Sequence, residues 1–282
     1  MKTYLVPIDF SPASTNAAEF AAQLSKQTNV EHIVLLNAYY VSEIETMLPS
    51  PDMVQLLEEQ VEQEAADRIK KLEHLKHKLS KLVREGVEIS IHLNRSHLLR
   101  AVIENVEAEN ADLVILGSKG NTSKSDSQIG GHVVKISKAS PVPVIVVPPA
   151  YNFEHIKRVV VACDFDKVKE TVPLEALKRL LDRKKYELLV VNIYKESKHL
   201  AGDAERMAEE TALYGMLKQY NPKYSYVNNT NVINGILQFA ADNDAQLVIA
   251  LPHKYSFFQS LLHDSVSQQL AESAAVPVLL LK

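Results

Sequence analysis

The 282-residue sequence predicts an α/β protein built from two tandem doubly wound, Rossmann-like parallel-sheet domains. Three observations carry the prediction. Short β-rich runs alternate with longer segments of helical period, the pattern of right-handed βαβ units. The runs Ile33-Val34-Leu35-Leu36 and Leu113-Val114-Ile115-Leu116 lack polar alternation, as expected of strands covered on both faces of a parallel sheet. The third observation is repetition. Val6-Pro7-Ile8-Asp9-Phe10 is echoed by Val161-Ala162-Cys163-Asp164-Phe165, and Ala111-Asp112-Leu113-Val114-Ile115 by Ala245-Gln246-Leu247-Val248-Ile249. Pro141-Val142-Pro143-Val144 is echoed by Ala275-Val276-Pro277-Val278. Three echoes in one order divide the chain near Ala150-Tyr151, giving domains over 1–150 and 151–282.

In the first domain a strand over Tyr4–Ile8 is followed by a helix over Ser14–Gln27 and a second strand over His32–Ala38. Ser50-Pro51 reads as an N-cap with proline at the first helical position. Apolar residues then recur at Val54, Leu57, Val61, Ala65, Ile69, Leu72, Leu75, Leu79 and Leu82, with Gly86 placed to end the helix. This long amphipathic helix is expected to pack on the sheet. A strand over Val87–Leu93, a helix over His97–Asn110, a strand over Leu113–Leu116, a helix near His132–Lys138 and a last strand over Val142–Val147 complete the domain. Matching blocks lie 155 residues apart at the first strand (Val6 to Val161) but 134 apart at the fourth (Ala111 to Ala245). The first copy therefore holds about twenty extra residues, in the segment after Tyr40.

Composition excludes several function classes. Hydrophobic residues make up 46% and charged residues 23%, and 31 Lys+Arg against 35 Asp+Glu give a net charge of -4. That balance argues against nucleic-acid and membrane partners, which call for a basic patch or stripe. No apolar run approaches the ~18 residues of a membrane span, and the N-terminus lacks the features of a secretory signal. A cytoplasmic protein is expected. The single cysteine, Cys163, reads as a small buried hydrophobe in a strand. His74 and His77 read as a solvated helix face, and the aromatic stretch between His253 and His263 as packing. Neither a nucleophile elbow nor a P-loop occurs.

Ligands of open α/β sheets bind beyond the carboxyl ends of the strands, where strand order reverses. Asp9 closes the first strand, Ala38 the second, and Gly117 follows the fourth. Gly117-Ser118-Lys119-Gly120 is followed by nine residues and then by Gly130-Gly131-His132, which opens a helical pattern. Glycine backbone approaches an anion closely, a helix N-terminus adds free N–H donors, and Lys119 adds positive charge. From composition and spacing alone, a phosphate cradle and a set of ordinary turns stand about even.

The spacing Gly-x-x-Gly, nine residues, Gly and a small residue resembles the ATP-binding motif of the universal stress protein family. The strand ending in Asp9, the Ala111-Asp112-Leu113 strand and the Pro141-Val142-Pro143-Val144 strand resemble that family's frame too. The resemblance implies an adenine-nucleotide alpha-hydrolase-like fold. It implies adenine near Pro7, Asp9 and Ala38, and phosphates at Gly117, Ser118, Lys119, Gly120, Gly130 and Gly131, sometimes with a divalent ion such as Mg. It also implies that the two copies face each other through Val142–Val147 and Val276–Leu281, an intramolecular counterpart of a homodimer. The chain departs from the family at Gly131, where Ser or Thr is usual, and in the polar stretch 121–129. In the second copy Leu251, Lys254 and Asp264 replace the three glycines, so no ATP site is expected there. The function expected is a stress-response ATP-binding protein, non-catalytic or very slowly hydrolytic. A nucleotide-free scaffold and an adenine-nucleotide hydrolase or transferase are the alternatives.

Overall fold

A computed structural model describes residues 2–40, 51–118, 131–163, 168, 186–194, 204–250 and 275–281. The first half runs β1 (Thr3–Pro7), α1 (Pro12–Leu24), β2 (His32–Ala38), α2 (Pro51–Leu79), β3 (Glu88–Asn94), α3 (Leu98–Ala108), β4 (Leu113–Gly117), α4 (Gly131–Ala139) and β5 (Val144–Val147). The second half contributes β6 (Arg158–Ala162), β7 (Glu187–Tyr194), α5 (Ala204–Leu217), β8 (Lys223–Asn228), α6 (Val232–Asp242), β9 (Leu247–Ala250) and β10 (Val278–Leu280).

The described strands form one ten-stranded sheet in the order β3-β2-β1-β4-β5-β10-β9-β6-β7-β8. Each half is parallel, with order reversing between β1 and β4 and again between β6 and β9. The halves join antiparallel through the last strands, Val278 opposite Val146 and Leu280 opposite Val144. The copies thus meet through their last strands, as the resemblance implied, and form one mixed sheet, because each final strand offers the other an unpaired edge.

Strand alternation sorts the core into layers. Tyr4, Val6, Ile33, Leu35, Leu113 and Ile115 point to one face, where they meet Ala17 and Phe20 of α1 and Leu72 and Leu79 of α2. Leu5, Val34, Leu36, Val114 and Leu116 point to the other, against Val102 and Val106 of α3 and Ile136 of α4. The first layer continues without a break across the junction into Val159, Val161, Leu188, Val190, Leu279 and Leu213 of α5. α6 covers the opposite face of the second half with Ile233, Ile236 and Ala240.

The connection between halves is hydrogen-bonded on both sides. Asn16 Nδ2 of α1 donates to the carbonyls of Pro148 (3.0 Å) and Tyr151 (3.1 Å). Gln27, buried, donates to the Ile156 carbonyl (3.1 Å) and accepts the Ile156 N–H (2.9 Å). Gln246 Oε1 of the second half accepts the N–H groups of Lys157 (2.9 Å) and Arg158 (3.0 Å). Burial pushes the Tyr151 phenol up to about 12, which keeps its proton available to the Gln246 carbonyl at 3.4 Å.

Several expected boundaries shift. α1 starts at Pro12 because Ser11 Oγ caps it, accepting the Ser14 N–H at 3.2 Å. α2 ends at Leu79 rather than near Gly86. Arg84 seizes the chain beyond it, its N–H donating to Ser25 Oγ (2.8 Å) and its Nη2 to the Val30 carbonyl (2.6 Å). Gly86, at φ +83, closes the turn into β3. Of the helical stripe, Leu72, Leu75 and Leu79 are buried whereas Ile69 is 43% exposed. At about 1.5 Å per residue the 29-residue helix spans roughly 43 Å, nearly twice a seven-residue strand, so its N-terminal part overhangs the sheet. The last strands are shorter than expected, at Val144–Val147 and Val278–Leu280. Cys163 follows β6 instead of lying inside it and is partly buried. His74 and His77 are exposed. Among the described residues no helix is long and apolar enough to cross a membrane.

Candidate functional site

The crevice between β1 and β4 begins with an unusual turn. Beyond Pro7 the chain stays against β2 for one more residue, the Ile8 N–H donating to the Leu36 carbonyl at 2.7 Å. Asp9 Oδ1 then accepts the Ser11 N–H at 3.0 Å, and the Asp9 N–H donates to Ser14 Oγ at 3.3 Å. Between them Phe10 takes φ 62, a left-handed conformation that few non-glycine residues adopt. This turn delivers Ser11 to the start of α1 and leaves Asp9 half-buried at the crevice.

β4 approaches that helix start closely. A Cβ on Gly117 would stand 2.5 Å from the Ala13 carbonyl oxygen and 2.9 Å from the Ser14 backbone nitrogen. Gly117 is therefore required for strand and helix to touch, as the packing glycine of a βα unit is. Ser118 follows it with its N–H donating to the Val147 carbonyl at 2.9 Å. Its hydroxyl is buried and has no hydrogen-bond partner among the described residues. A buried hydroxyl left unpaired costs about 1–3 kcal/mol, so a partner at this atom would be stabilising.

Pro7, Asp9, Ala38, Gly117 and Ser118 thus gather at one end of the sheet, and α4 starts at Gly131. Lys119, Gly120 and Gly130 lie outside the described residues, as do Asp164, Leu251, Lys254, Asp264 and the 253–263 stretch.

The structure adds residues that the sequence reading passed over. Asn37, 1% exposed in β2, donates from Nδ2 to the Ile8 carbonyl at 2.6 Å and accepts from Arg68 Nη1 at 3.1 Å. Arg68 reaches from α2, pairs with Glu64 (2.6 Å) and lies 4.8 Å over the Tyr39 ring. Asn192 repeats the device in the second half, donating to the Cys163 carbonyl at 2.8 Å. A signal was available: Asn37 and Asn192 interrupt apolar runs at the same 155-residue spacing as the first-strand blocks. Among the described residues no group of three His, Cys, Asp or Glu could hold a metal ion.

Fold and crevice together define a tandem α/β protein with two strand-order switch points, one per half. The universal stress protein family model matches residues 1–148 and again 155–282, and the chain belongs to that family. A universal stress protein of Methanocaldococcus jannaschii, MJ0531, is 26% identical over 149 residues, covering 52% of this chain and 81% of that protein. Two solved structures extend over the tandem. A universal stress protein from Archaeoglobus fulgidus shares 17% identity at a TM-score of 0.62, covering 99% of this chain and 96% of its own. A Pseudomonas aeruginosa structure assigned provisionally to the same family shares 14% at 0.63, covering 100% and 93%. At those identities the likeness speaks for the fold.

Proposed function

We propose that the first half binds one adenine nucleotide, ATP or a close relative, at the crevice between β1 and β4, and that the chain acts as a stress-related nucleotide-binding protein. The observation that carries this reading is the buried Ser118 hydroxyl, without a partner among the described residues, which follows a packing glycine at the end of β4. Adenine is placed near Pro7, Asp9 and Ala38. Phosphates are placed at Ser118, Lys119, Gly120, Gly130 and Gly131, where backbone N–H groups and the α4 dipole favour negative charge. Gly117 belongs to this set through its backbone, its missing side chain being accounted for by α1. Magnesium, where it accompanies ATP, belongs to the phosphates in this reading.

The chain's own groups supply binding and orientation. Asp9 already accepts the Ser11 N–H, and Ser11 and Ser14 bond to each other at 3.3 Å. These groups hold the turn, which supports a binding role over rapid hydrolysis. In the second half the sequence has Leu251, Lys254 and Asp264 at the positions of the first half's glycines, and no nucleotide is placed there.

Isothermal titration of ATP with magnesium tests the reading. Wild type binds one equivalent, and Gly120→Val weakens binding by roughly tenfold or more, because backbone donors can no longer approach the phosphates. Equal affinity in both would place the ligand elsewhere.

A further inference from the structure

The outer edge of the first half carries a cluster of ionisable groups unconnected with the crevice. His32 opens β2, His92 lies in β3, and Glu109 caps the C-terminus of α3. Glu109 reaches both imidazoles, with Oε1 at 3.6 Å from His92 Nε2 and Oε2 at 3.9 Å from His32 Nδ1. All three side chains are only a quarter to a third exposed.

Hydrogen bonding fixes the proton positions on His92. Asn105 Nδ2 donates to the Ala101 carbonyl at 2.8 Å, which orients Oδ1 of the same amide toward His92 Nδ1 at 2.9 Å. Oδ1 only accepts, so Nδ1 carries a hydrogen. Nε2 then faces the carboxylate. With a second proton it forms an ion pair; without one, a lone pair meets a negative oxygen. His32 is under no such constraint, because Ser90 Oγ, 2.8 Å from its Nε2, can either donate or accept. The carbonyl end of α3 adds further negative potential, which favours a cation at this place.

Neighbouring charges are engaged elsewhere. Glu104 pairs with Arg100 at 2.7 Å, Glu31 with Lys2 at 3.1 Å, and Asp112 accepts the backbone N–H groups of Lys2 and Thr3. Glu88 and Glu107 are exposed. The second half provides an internal reference. Where β2 begins with His32, β7 begins with Glu187, which is held by Lys223 at 2.5 Å and Arg158 at 3.0 Å. Carboxylate, ammonium and guanidinium groups ordinarily do not change charge between about pH 5 and 8, the range in which imidazoles do.

We infer that His92 and Glu109, with His32 beside them, form a proton-operated clasp that fastens the end of α3 to the outer strands of the first half alone. Protonation closes the clasp; loss of the His92 proton turns an attraction into a repulsion and loosens the β3 edge. A fall in pH therefore stiffens the β3 edge of the first half, while the described outer strands β7 and β8 of the second half carry no such clasp.

Hydrogen exchange of the full chain at about pH 6 and pH 8, corrected for intrinsic rates, tests the inference. Protection over 88–94 and 102–110 should be roughly two- to fivefold greater at the lower pH, the range of a partly exposed ion pair. Glu109→Gln and His92→Gln should abolish the difference, and residues 187–194 and 223–228 should show none in any variant. A pH response unchanged in Glu109→Gln would overturn the clasp. Should the variants fold poorly, imidazole nitrogen NMR of wild type decides: His92 Nδ1 keeps its proton at high pH if the clasp is correct, and loses it before Nε2 if it is not.

Discussion

At the scale of single residues, Gly117 shows how two demands converge on one position. The sequence places it first in a glycine motif, as if its use were to meet a phosphate. The backbone of α1 supplies a prior reason, since any side chain would meet the Ala13 carbonyl at 2.5 Å, closer than real contacts come. The obstacle is backbone, which cannot swing aside as a side chain can. Gly117→Ala is therefore expected to cost about 1–3 kcal/mol in urea unfolding, and a variant as stable as wild type would mean that α1 shifts freely. Larger residues here would report on folding as much as on ligand, which is why Gly120 is the better probe of the crevice. Asn37 makes the complementary point. Its polarity inside an apolar run is visible in the sequence, but its partners, the Ile8 carbonyl and Arg68, lie 29 and 31 residues away. Only the folded chain reveals them.

Among elements, the strands were the most legible part of the chain. A strand covered on both faces is largely apolar, and β1, β2, β4 and β5 read that way, with Asn37 the polar exception inside β2. Element ends were less legible because they depend on capping partners distant in sequence, as with Arg84 and Ser25 after α2. Edge strands follow another rule. β8 is partly exposed, and at its start Lys223, and then Arg158 of β6, hold the Glu187 carboxyl of β7 below its ordinary range. In the unfolded chain that carboxyl returns to its ordinary value, about 4.3. Its contribution is thus complete above that value and disappears as pH falls through the lower folded one. Glu187→Gln should therefore flatten the loss of stability between about pH 5 and 3. Urea midpoints that fall as steeply in the variant as in wild type would show that the ion pairs add nothing.

For the whole molecule, the meeting of the copies through their last strands was implied by the family resemblance and is what the sheet shows. Duplication was legible in the echoed blocks. They say little about the pairing of Val278 with Val146, or about an apolar layer that runs from Tyr4 to Leu279 across both. The connection through Asn16, Gln27, Tyr151 and Gln246 binds α1, whose first turn faces the crevice, to β6 and β9 of the other half. Within this joined frame the halves differ in sequence, one carrying Gly117, Gly120 and Gly130 together with an imidazole clasp, the other Leu251, Lys254 and Asp264 at the matching positions. The central claim is that asymmetry: one nucleotide site in a molecule with two crevices. Native mass spectrometry of the purified chain with ATP and magnesium measures it directly. The account predicts a single added nucleotide per chain, removed by Gly120→Val in a protein that stays folded; two bound nucleotides, or none at any concentration, would contradict it.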